Sequence, residues 1–215
     1  MADIDIETVV SDIKLFIEKL KSDLPEVFSK DKEESSLSEQ EQIHPSSGKI
    51  LYEGQLLPCE VILDNQIKEP SFSLQEGLLT ITINNPKEDL PALAEVWARK
   101  QAQEILPQKV ALWAQKMGVQ YNNIVIKDQK SLWGSCSQKK NLNFSYRLIK
   151  MPLSIIDYLI VHELAHLIHF NHGPEFWACV EGYIPNYKDA RKWLNTNRYA
   201  VMAPCDIKYT PKENA

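Results

Sequence analysis

The sequence predicts an α+β domain that combines a small antiparallel sheet with a long helix and a second, buried helix. Short β-rich runs separated by turn-like residues occupy residues 49–85 and predict the sheet. Residues 90–117 repeat apolar side chains at helical spacing, with Pro107 as an expected break or kink. Residues 151–171 are apolar almost all round, which is typical of a helix that runs through a core.

The length and the composition exclude several classes of protein. The 215 residues are 44% hydrophobic and 25% charged, which provides enough apolar surface for one sizeable core and excludes a disordered or fibrous chain. The apolar stretches fall short of the roughly 18 residues that a membrane span requires. A net charge of −5 gives no general attraction to nucleic acid or anionic lipid, so neither partner is expected. The sequence does not indicate an oligomeric state.

The cysteines and the N-terminal residues predict a cytoplasmic protein. No C-x-x-C pair occurs among the four cysteines, which argues against a disulfide framework and against a thiolate zinc knuckle. The N-terminus carries acids and lacks the basic region and apolar run of a secretory signal. We therefore expect reduced thiols in the cytoplasm.

The chain divides into four predicted segments. Apolar residues at three- and four-residue steps from Ile4 to Leu24 predict an amphipathic helix, whose apolar stripe must be covered by the main domain or by a second copy. An acidic and serine-rich stretch follows, which is typical of a solvated linker. The predicted segments are the amphipathic helix at 1–28, the linker at 29–47, the main domain at 48–200 and a C-terminal tail at 201–215.

The buried helix contains the residues that best indicate chemistry. His162 and His166 lie four residues apart, so both imidazoles share one helix face and can bind a single Zn²⁺. Glu163 lies about 100° round the helix from His162, where it can reach a water on the metal without binding the ion. Burying these groups among leucines and isoleucines is costly unless a metal satisfies them, which favours a metal site over core histidines. An S-x-x-D signature at Ser154 and Asp157 predicts the helix start.

A catalytic zinc requires a third protein ligand and one open position. His169 continues the same helix face but lies about 10 Å further along the axis than His162. His172 can reach the metal if the chain turns back after Phe170, so we predict His172 as the third ligand. Glu181, on the next predicted helix, is the remaining alternative.

Three neighbouring features receive structural interpretations. The W-G-S-C sequence at residues 133–136 contains two nucleophile types but no histidine outside the metal cluster is near to serve as base, so we predict a tight turn. The strand predicted over residues 141–148 alternates polar and apolar side chains, and at a sheet edge it can bind an extended peptide by main-chain pairing. Packing or surface roles are favoured for the nearby polar donors Tyr146, Arg147, Tyr183 and Tyr187.

Four motifs follow one another closely within residues 128–195: W-G-S-C at 133–136, R-L-x-x-x-P at 147–152, H-E-L-A-H-L at 162–167 and N-H-x-x-x-F-W at 171–177. Together they resemble the YgjP-like metallopeptidase domain, a relative of the SprT-like zincins. The resemblance extends more loosely back to about residue 50 and does not include the first 47 residues. It implies a zincin-like fold around the buried helix.

The resemblance also implies an activity and a set of site residues. It implies zinc at His162, His166 and His172, with Glu163 as the catalytic base that activates a metal-bound water. The implied reaction is hydrolysis of peptide bonds, with a peptide or an unfolded protein as substrate. Members of the family usually have a basic residue directly before W-G-S-C, whereas this chain has Leu132.

Two alternatives to a zinc metallopeptidase remain at this point. A metal-dependent nucleoside triphosphate pyrophosphatase is the first, because a metal-activated water can attack phosphorus as well as carbon. Lys139, Lys140 and Arg147 are available to contact phosphate, but the sequence contains no Gly-rich phosphate loop and no carboxylate cluster for Mg²⁺. The second is a zinc-stabilised binding module without turnover, against which the intact Glu163 argues.

Overall fold

The computed structural model describes residues 47–205 and residue 207. The amphipathic helix predicted over residues 1–28 and nearly all of the predicted linker lie outside the described residues, and the segment boundaries stay a prediction. The described strands are β1 (Ser47–Tyr52), β2 (Gln55–Leu63), β3 (Ser71–Gln75), β4 (Leu78–Ile83), β5 (Asn123–Lys127), β6 (Gly134–Cys136) and β7 (Asn141–Ser145). The helices are α1 (Leu90–Met117), α2 (Leu153–Ala165), α3 (Pro174–Tyr183) and α4 (Tyr187–Met202), with a 3-10 helix at Tyr146–Lys150. The predicted α+β class is confirmed.

The first four strands form one small sheet in the order β1-β2-β4-β3. The pairs β1–β2 and β3–β4 are antiparallel, whereas the central strands β2 and β4 run parallel. The predicted small sheet is therefore present, and its pairing is mixed because β4 turns back from β3 and inserts beside β2. Alternate residues of β4, Leu79, Ile81 and Ile83, are fully buried and line the core side.

The hairpins β1–β2 and β3–β4 have turns of the same kind. Glu53 and Gly54 form the first turn, Glu76 and Gly77 the second, and all four have positive φ angles. Two consecutive positive φ angles are typical of the type I′ turn, whose twist matches that of the strands. The Glu-Gly sequence at both turns supplies glycine for the more strained position.

The tip of the β1–β2 hairpin connects this sheet to the start of α2. The N–H of Glu53 donates to the carbonyl of Ile149 at 2.7 Å, and the N–H of Gly54 donates to that of Lys150 at 3.1 Å. A Cβ atom at Gly54 would lie 2.6 Å from Cγ of Pro152. Only a glycine therefore allows the turn to approach the residue that precedes α2.

Helix α1 forms the long central support of the domain. It begins after Asp89, whose side chain accepts a hydrogen bond from the N–H of Ala92, and ends at Gly118 in the left-handed conformation. The break or kink that Pro107 predicts does not divide it, since the helix continues through this residue. The fully buried residues Ala102 and Val110 lie on either side of Pro107, so tertiary packing holds the helix despite the lost hydrogen bond.

The second sheet has three strands in the order β5-β7-β6. Strand β7 pairs parallel with β5 and antiparallel with β6, so it is the central strand. The strand predicted over residues 141–148 is therefore present but ends at Ser145, where the chain forms the 3-10 helix. Because β7 is central, it does not offer the free edge on which peptide pairing was conditional. The W-G-S-C sequence contributes β6, which is an edge strand rather than the predicted tight turn.

Helix α2 runs through the core, as the sequence predicts. Nine of its side chains are buried, including the fully buried Ile156, Ile160 and Leu164. The helix is shorter than the predicted apolar stretch because it ends at Ala165, with His166 as the C-cap. Of the helices in residues 47–205, none is long and apolar enough to cross a membrane.

The start of α2 differs from the predicted capping signature. Pro152 occupies the N-cap position, and no side chain caps the helix. Asp157 instead accepts hydrogen bonds from Nζ of Lys109 at 2.9 Å and from Nε1 of Trp113 at 3.0 Å, both on α1. The carboxylate therefore joins two helices rather than capping one, because α1 presents better donors than the backbone of its own helix.

The two turn glycines allow a matched test of the hairpin contact. We expect Gly77→Ala to lower the free energy of unfolding by about 1–2 kcal/mol, the cost of a left-handed alanine, because open space surrounds this position. Gly54→Ala should cost at least about 1 kcal/mol more, since the methyl group must also displace Pro152. Urea unfolding of both variants measures the difference. Equal losses would contradict the proposed role of the Gly54–Pro152 contact.

Candidate metal centre

Three imidazoles converge at the C-terminal end of α2. The side chains of His162, His166 and His172 each offer a ring nitrogen, and these nitrogens all lie within 4.8 Å of one another. Nε2 of His162 is 3.0 Å from Nε2 of His172. Nitrogens bound tetrahedrally to one zinc ion at 2.0–2.1 Å are about 3.3 Å apart, so the observed spacing is close to that of a metal site.

The early end of α2 brings His172 to the other two imidazoles. After Ala165 the backbone continues as a tight turn, in which the N–H groups of Ile168 and His169 both donate to the carbonyl of Ala165. A further bend follows, closed by a hydrogen bond from the N–H of Gly173 to the carbonyl of Asn171 at 2.8 Å. The chain therefore turns back as expected, and His172 lies beside His162 rather than further along a helix axis.

The two alternative third ligands considered from the sequence lie apart from this cluster. His169 directs Nδ1 towards Oε2 of Glu175 at 3.9 Å and is not among the three converging residues. Glu181 is exposed on α3. A continuous helix would keep His169 on the shared face, but the helix has already ended before this residue.

The protonation states of His162 and His166 fit a metal ion. Burial, together with the neighbouring His166 and His172, lowers the pKa of His162 to about 3. Burial also lowers the pKa of His166. Neutral imidazoles at pH 7 have a free lone pair, which a metal requires.

Nδ1 of His162 is buried without a hydrogen-bond partner in the described chain, so only Nε2 has a neighbouring polar group. Three nitrogen donors suit zinc better than magnesium or calcium.

Glu163 lies directly beside the cluster in a narrow space. Glu163 is only 5% exposed, and burial raises the pKa of its carboxyl to about 8. Strand β6 passes so close that a Cβ atom at Gly134 would lie 2.8 Å from both Cγ and Oε1 of Glu163. The glycine of the W-G-S-C sequence therefore makes room for the carboxylate, a role that the sequence analysis did not identify.

One open cavity contains all four predicted site residues. Its volume is about 390 Å³. The cavity lies between α2, the segment that leads into β6, and the connection between α2 and α3. It is lined by Leu132, Trp133, Gly134, Ser135, Cys136, Tyr158, Leu159, His162, Glu163, His166, Phe170 and His172.

Tyr158 lines this cavity and was missed in the sequence. It precedes His162 by four residues, so the helical spacing that relates His162 to His166 also places Tyr158 on the same face. Burial raises its pKa to about 12, so the hydroxyl stays protonated and remains a hydrogen-bond donor at neutral pH. Tyr146 and Arg147, two of the polar donors considered from the sequence, do not line the cavity.

Aromatic side chains from α3 fix the position of the histidines. The fully buried ring of Phe176 lies with its centroid 5.0, 4.6 and 4.7 Å from those of His162, His166 and His172. Trp177 stacks on His172 at 5.6 Å, and its ring plane is inclined by 27°. The F-W pair of the N-H-x-x-x-F-W motif therefore forms the packing that holds the last histidine in place.

An ion-pair cluster holds the beginning of the segment that leads into β6. Asp128 accepts hydrogen bonds from Arg99 and from Arg147, each at 2.5 Å. The two guanidinium groups also lie over the ring of Tyr146, at 4.1 and 4.5 Å from its centroid. Hydrogen bonds from Arg147 and Arg99 lower the pKa of Asp128 to about 2. The carboxylate is therefore charged under ordinary conditions and anchors this segment.

The rest of the segment is held through its backbone. Arg198 of α4 donates to the carbonyls of Lys130 and Ser131, both at 3.2 Å. The N–H of Ser145 donates to the carbonyl of Trp133 at 2.8 Å. Residues 128–133, of which Leu132 and Trp133 line the cavity, are thus attached to α1, β7, the 3-10 helix and α4.

The histidine cluster, the adjacent carboxylate and the open cavity define the class of a metal-dependent hydrolase. The chain belongs to the YgjP-like family, since the model of the YgjP-like metallopeptidase domain matches residues 5–197. The resemblance that the sequence motifs indicate is therefore confirmed. The expectation that it does not include the first 47 residues is wrong, because the match begins at residue 5.

Two solved structures are similar to this chain. The zymogen of the metallopeptidase abylysin from Pyrococcus abyssi is 21% identical, with 43% of this chain and 94% of that chain covered and a TM-score of 0.40. The zymogen of the metallopeptidase jannalysin from Methanocaldococcus jannaschii is 24% identical, with 44% and 96% covered and a TM-score of 0.39. No curated protein matches the chain.

The Asp128 cluster gives a prediction that depends on pH. Asp128→Asn should lower the free energy of unfolding at pH 7 by about 1 kcal/mol and speed hydrogen exchange in residues 129–133, because two arginines lose a charged acceptor. The pKa of Asp128 in the folded protein lies near 2, below its value in the unfolded chain. The difference in the free energy of unfolding between parent and variant should therefore persist above about pH 4 and vanish as the pH falls through 2. Asp64→Asn is the control, because Asp64 accepts only a backbone N–H that asparagine can also bind. Similar exchange rates in Asp128→Asn and the parent would contradict the anchoring role.

Proposed function

We propose that this protein is a zinc-dependent metallopeptidase in which His162, His166 and His172 bind the ion and Glu163 is the catalytic base. The observation that carries the proposal is the convergence of three imidazole nitrogens within 4.8 Å, beside a buried carboxylate and in an open cavity. Membership of a family of metallopeptidase domains supports the reaction class. The substrate is a peptide or an unfolded protein.

The three histidines would hold a zinc ion with its full charge, because none of them is anionic. A zinc ion bound there would supply a Lewis acid for the scissile carbonyl and lower the pKa of a water molecule. His162 and His166 are held by the end of a core helix, and Phe176 packs against all three rings. This packing preorganises the ligand set before the metal binds.

Glu163 acts on the proton of the attacking water. Its carboxylate accepts that proton and then transfers it to the nitrogen of the departing amine. Burial raises the pKa of this carboxyl to about 8 and so makes it a stronger base than a solvated glutamate. A cation bound beside it would lower the pKa again. Gly134 keeps β6 close enough to exclude water from one side of the carboxylate.

Strand β6 binds the substrate backbone. The carbonyl of Trp133 and the N–H of Ser137 both bond to β7, so the main-chain groups of Gly134 and Cys136 point away from it. No strand of the described residues pairs with this outer edge of β6. An extended peptide can add to it by main-chain hydrogen bonds and lie across the histidine cluster.

The cavity chemistry favours a peptide over a nucleoside triphosphate. None of the described residues that line it is a lysine or an arginine. Arg147, which the sequence left available for phosphate, is buried and bonded to Asp128. Lys139 and Lys140 lie in the turn between β6 and β7, outside the lining. A triphosphate would therefore meet no cationic side chain in this cavity to balance its charge.

The ligand assignment predicts the metal content of four variants. His162→Ala, His166→Ala and His172→Ala should each lower bound zinc at least about tenfold and lower the melting temperature of the zinc-loaded protein. His169→Ala is the matched control and should retain zinc, since this residue lies outside the cluster. Elemental analysis and thermal unfolding with and without zinc provide the measurements. A His172→Ala protein that keeps its zinc while His169→Ala loses it would overturn the assignment.

The role of Glu163 is tested by Glu163→Gln, which preserves size but cannot accept a proton. We expect zinc content near that of the parent and a rate of hydrolysis of an unfolded protein that is about 10²–10⁴-fold lower. Glu175→Gln, on an exposed carboxylate outside the cavity, is the control. Hydrolysis by Glu163→Gln at the parent rate would remove this residue from the mechanism.

A further inference from the structure

Leu132 is an exposed leucine at the edge of the proposed active site. It is 53% exposed and lines the cavity that contains the histidine cluster. Single exposed leucines are ordinary on protein surfaces, and Leu112 on α1 is another, at 49%. The location distinguishes Leu132, because exposed apolar side chains within a concave site provide binding surface for a ligand.

Phe170 is a second exposed apolar side chain that lines the same cavity. It is also 53% exposed and follows α2, so it comes from a different part of the chain than Leu132. Its ring centroid lies 6.5 Å from that of His166. Two large apolar side chains from separate segments therefore border the space next to the proposed metal ligands. The buried Leu159 of α2 contributes a further apolar surface to the same cavity.

The backbone around Leu132 is firmly held. Arg198 bonds the carbonyl of Ser131, and Ser145 bonds that of Trp133, so both neighbours of Leu132 are fixed. The guanidinium of Arg198 also lies 5.7 Å from the ring centroid of Trp133. A fixed apolar surface loses little conformational entropy when a ligand binds, which favours selectivity.

We propose that Leu132 and Phe170 form an apolar subsite that selects peptides with a large apolar side chain next to the scissile bond. The inference rests on the proposed function and adds the substrate class. The volume of about 390 Å³ accommodates one such side chain together with the adjoining peptide backbone. No lysine or arginine lies among the described lining residues to pair with an acidic side chain.

The first experiment maps the selectivity of the zinc-loaded protein. Its cleavage sites in an unfolded protein are identified by mass spectrometry, and we expect Leu, Ile, Met or Phe at one flanking position about tenfold more often than their abundance predicts. Leu132→Arg should abolish this enrichment and increase cleavage beside Asp and Glu. Leu112→Arg is the matched control, an exposed leucine outside the cavity, and should cleave as the parent does.

The second experiment measures binding without turnover. Two short peptides that differ only by Phe or Ala at the selected position are titrated calorimetrically into zinc-loaded Glu163→Gln protein. The Phe peptide should bind at least about tenfold more tightly. Leu132→Arg and Phe170→Ala, each added to Glu163→Gln, should remove most of that difference. Both variants should lose this preference while melting near the temperature of the parent, because both side chains are more than half exposed.

The outcomes separate this inference from the proposed function. If the parent hydrolyses the unfolded protein but Phe and Ala peptides bind equally, the metallopeptidase proposal stands and the apolar subsite is overturned. If Leu132→Arg and Phe170→Ala both retain the preference, the subsite is again overturned. If the zinc-loaded parent hydrolyses nucleoside triphosphates and no peptide bond, both proposals fail together.

Discussion

The structure depends on how a buried helix accommodates polar side chains at its C-terminal end. Helix α2 is apolar on nearly every side, yet its last turns contain His162 and Glu163 inside the domain. Burial moves the pKa of both groups towards the neutral form, to about 3 for the imidazole and about 8 for the carboxyl. Both groups are therefore uncharged at neutral pH. A divalent cation bound beside them would make their burial favourable.

The other elements hold this helix and shape the space at its end. The β1–β2 hairpin fixes the residue before α2, while Asp157 bonds the middle of the helix to α1. At the other end Phe176 packs against three imidazoles, and Gly134 allows β6 to pass beside the carboxylate. Each contact comes from a different element, so the site depends on the integrity of the whole domain.

The wall opposite α2 combines rigidity with an apolar surface. The paired arginines on Asp128 and the backbone bonds from Arg198 immobilise residues 128–133. These charged side chains thus position the segment, and none of them lines the cavity. What faces the cavity from this segment is Leu132 and Trp133. A substrate therefore meets apolar side chains beside the proposed metal and free main-chain groups along β6.

The sequence by itself determined the α+β class, the small sheet, the core helix and its family, because hydrophobic periodicity and the H-E-x-x-H spacing are local properties. Tertiary structure decided where α2 ends, the central position of β7 and the room that Gly134 leaves for Glu163. These depend on contacts between distant segments: Asp157 bonds α1 instead of capping its own helix, and packing carries α1 through Pro107. Local pattern fixes which side chains share a face, whereas long-range packing fixes what lies opposite them.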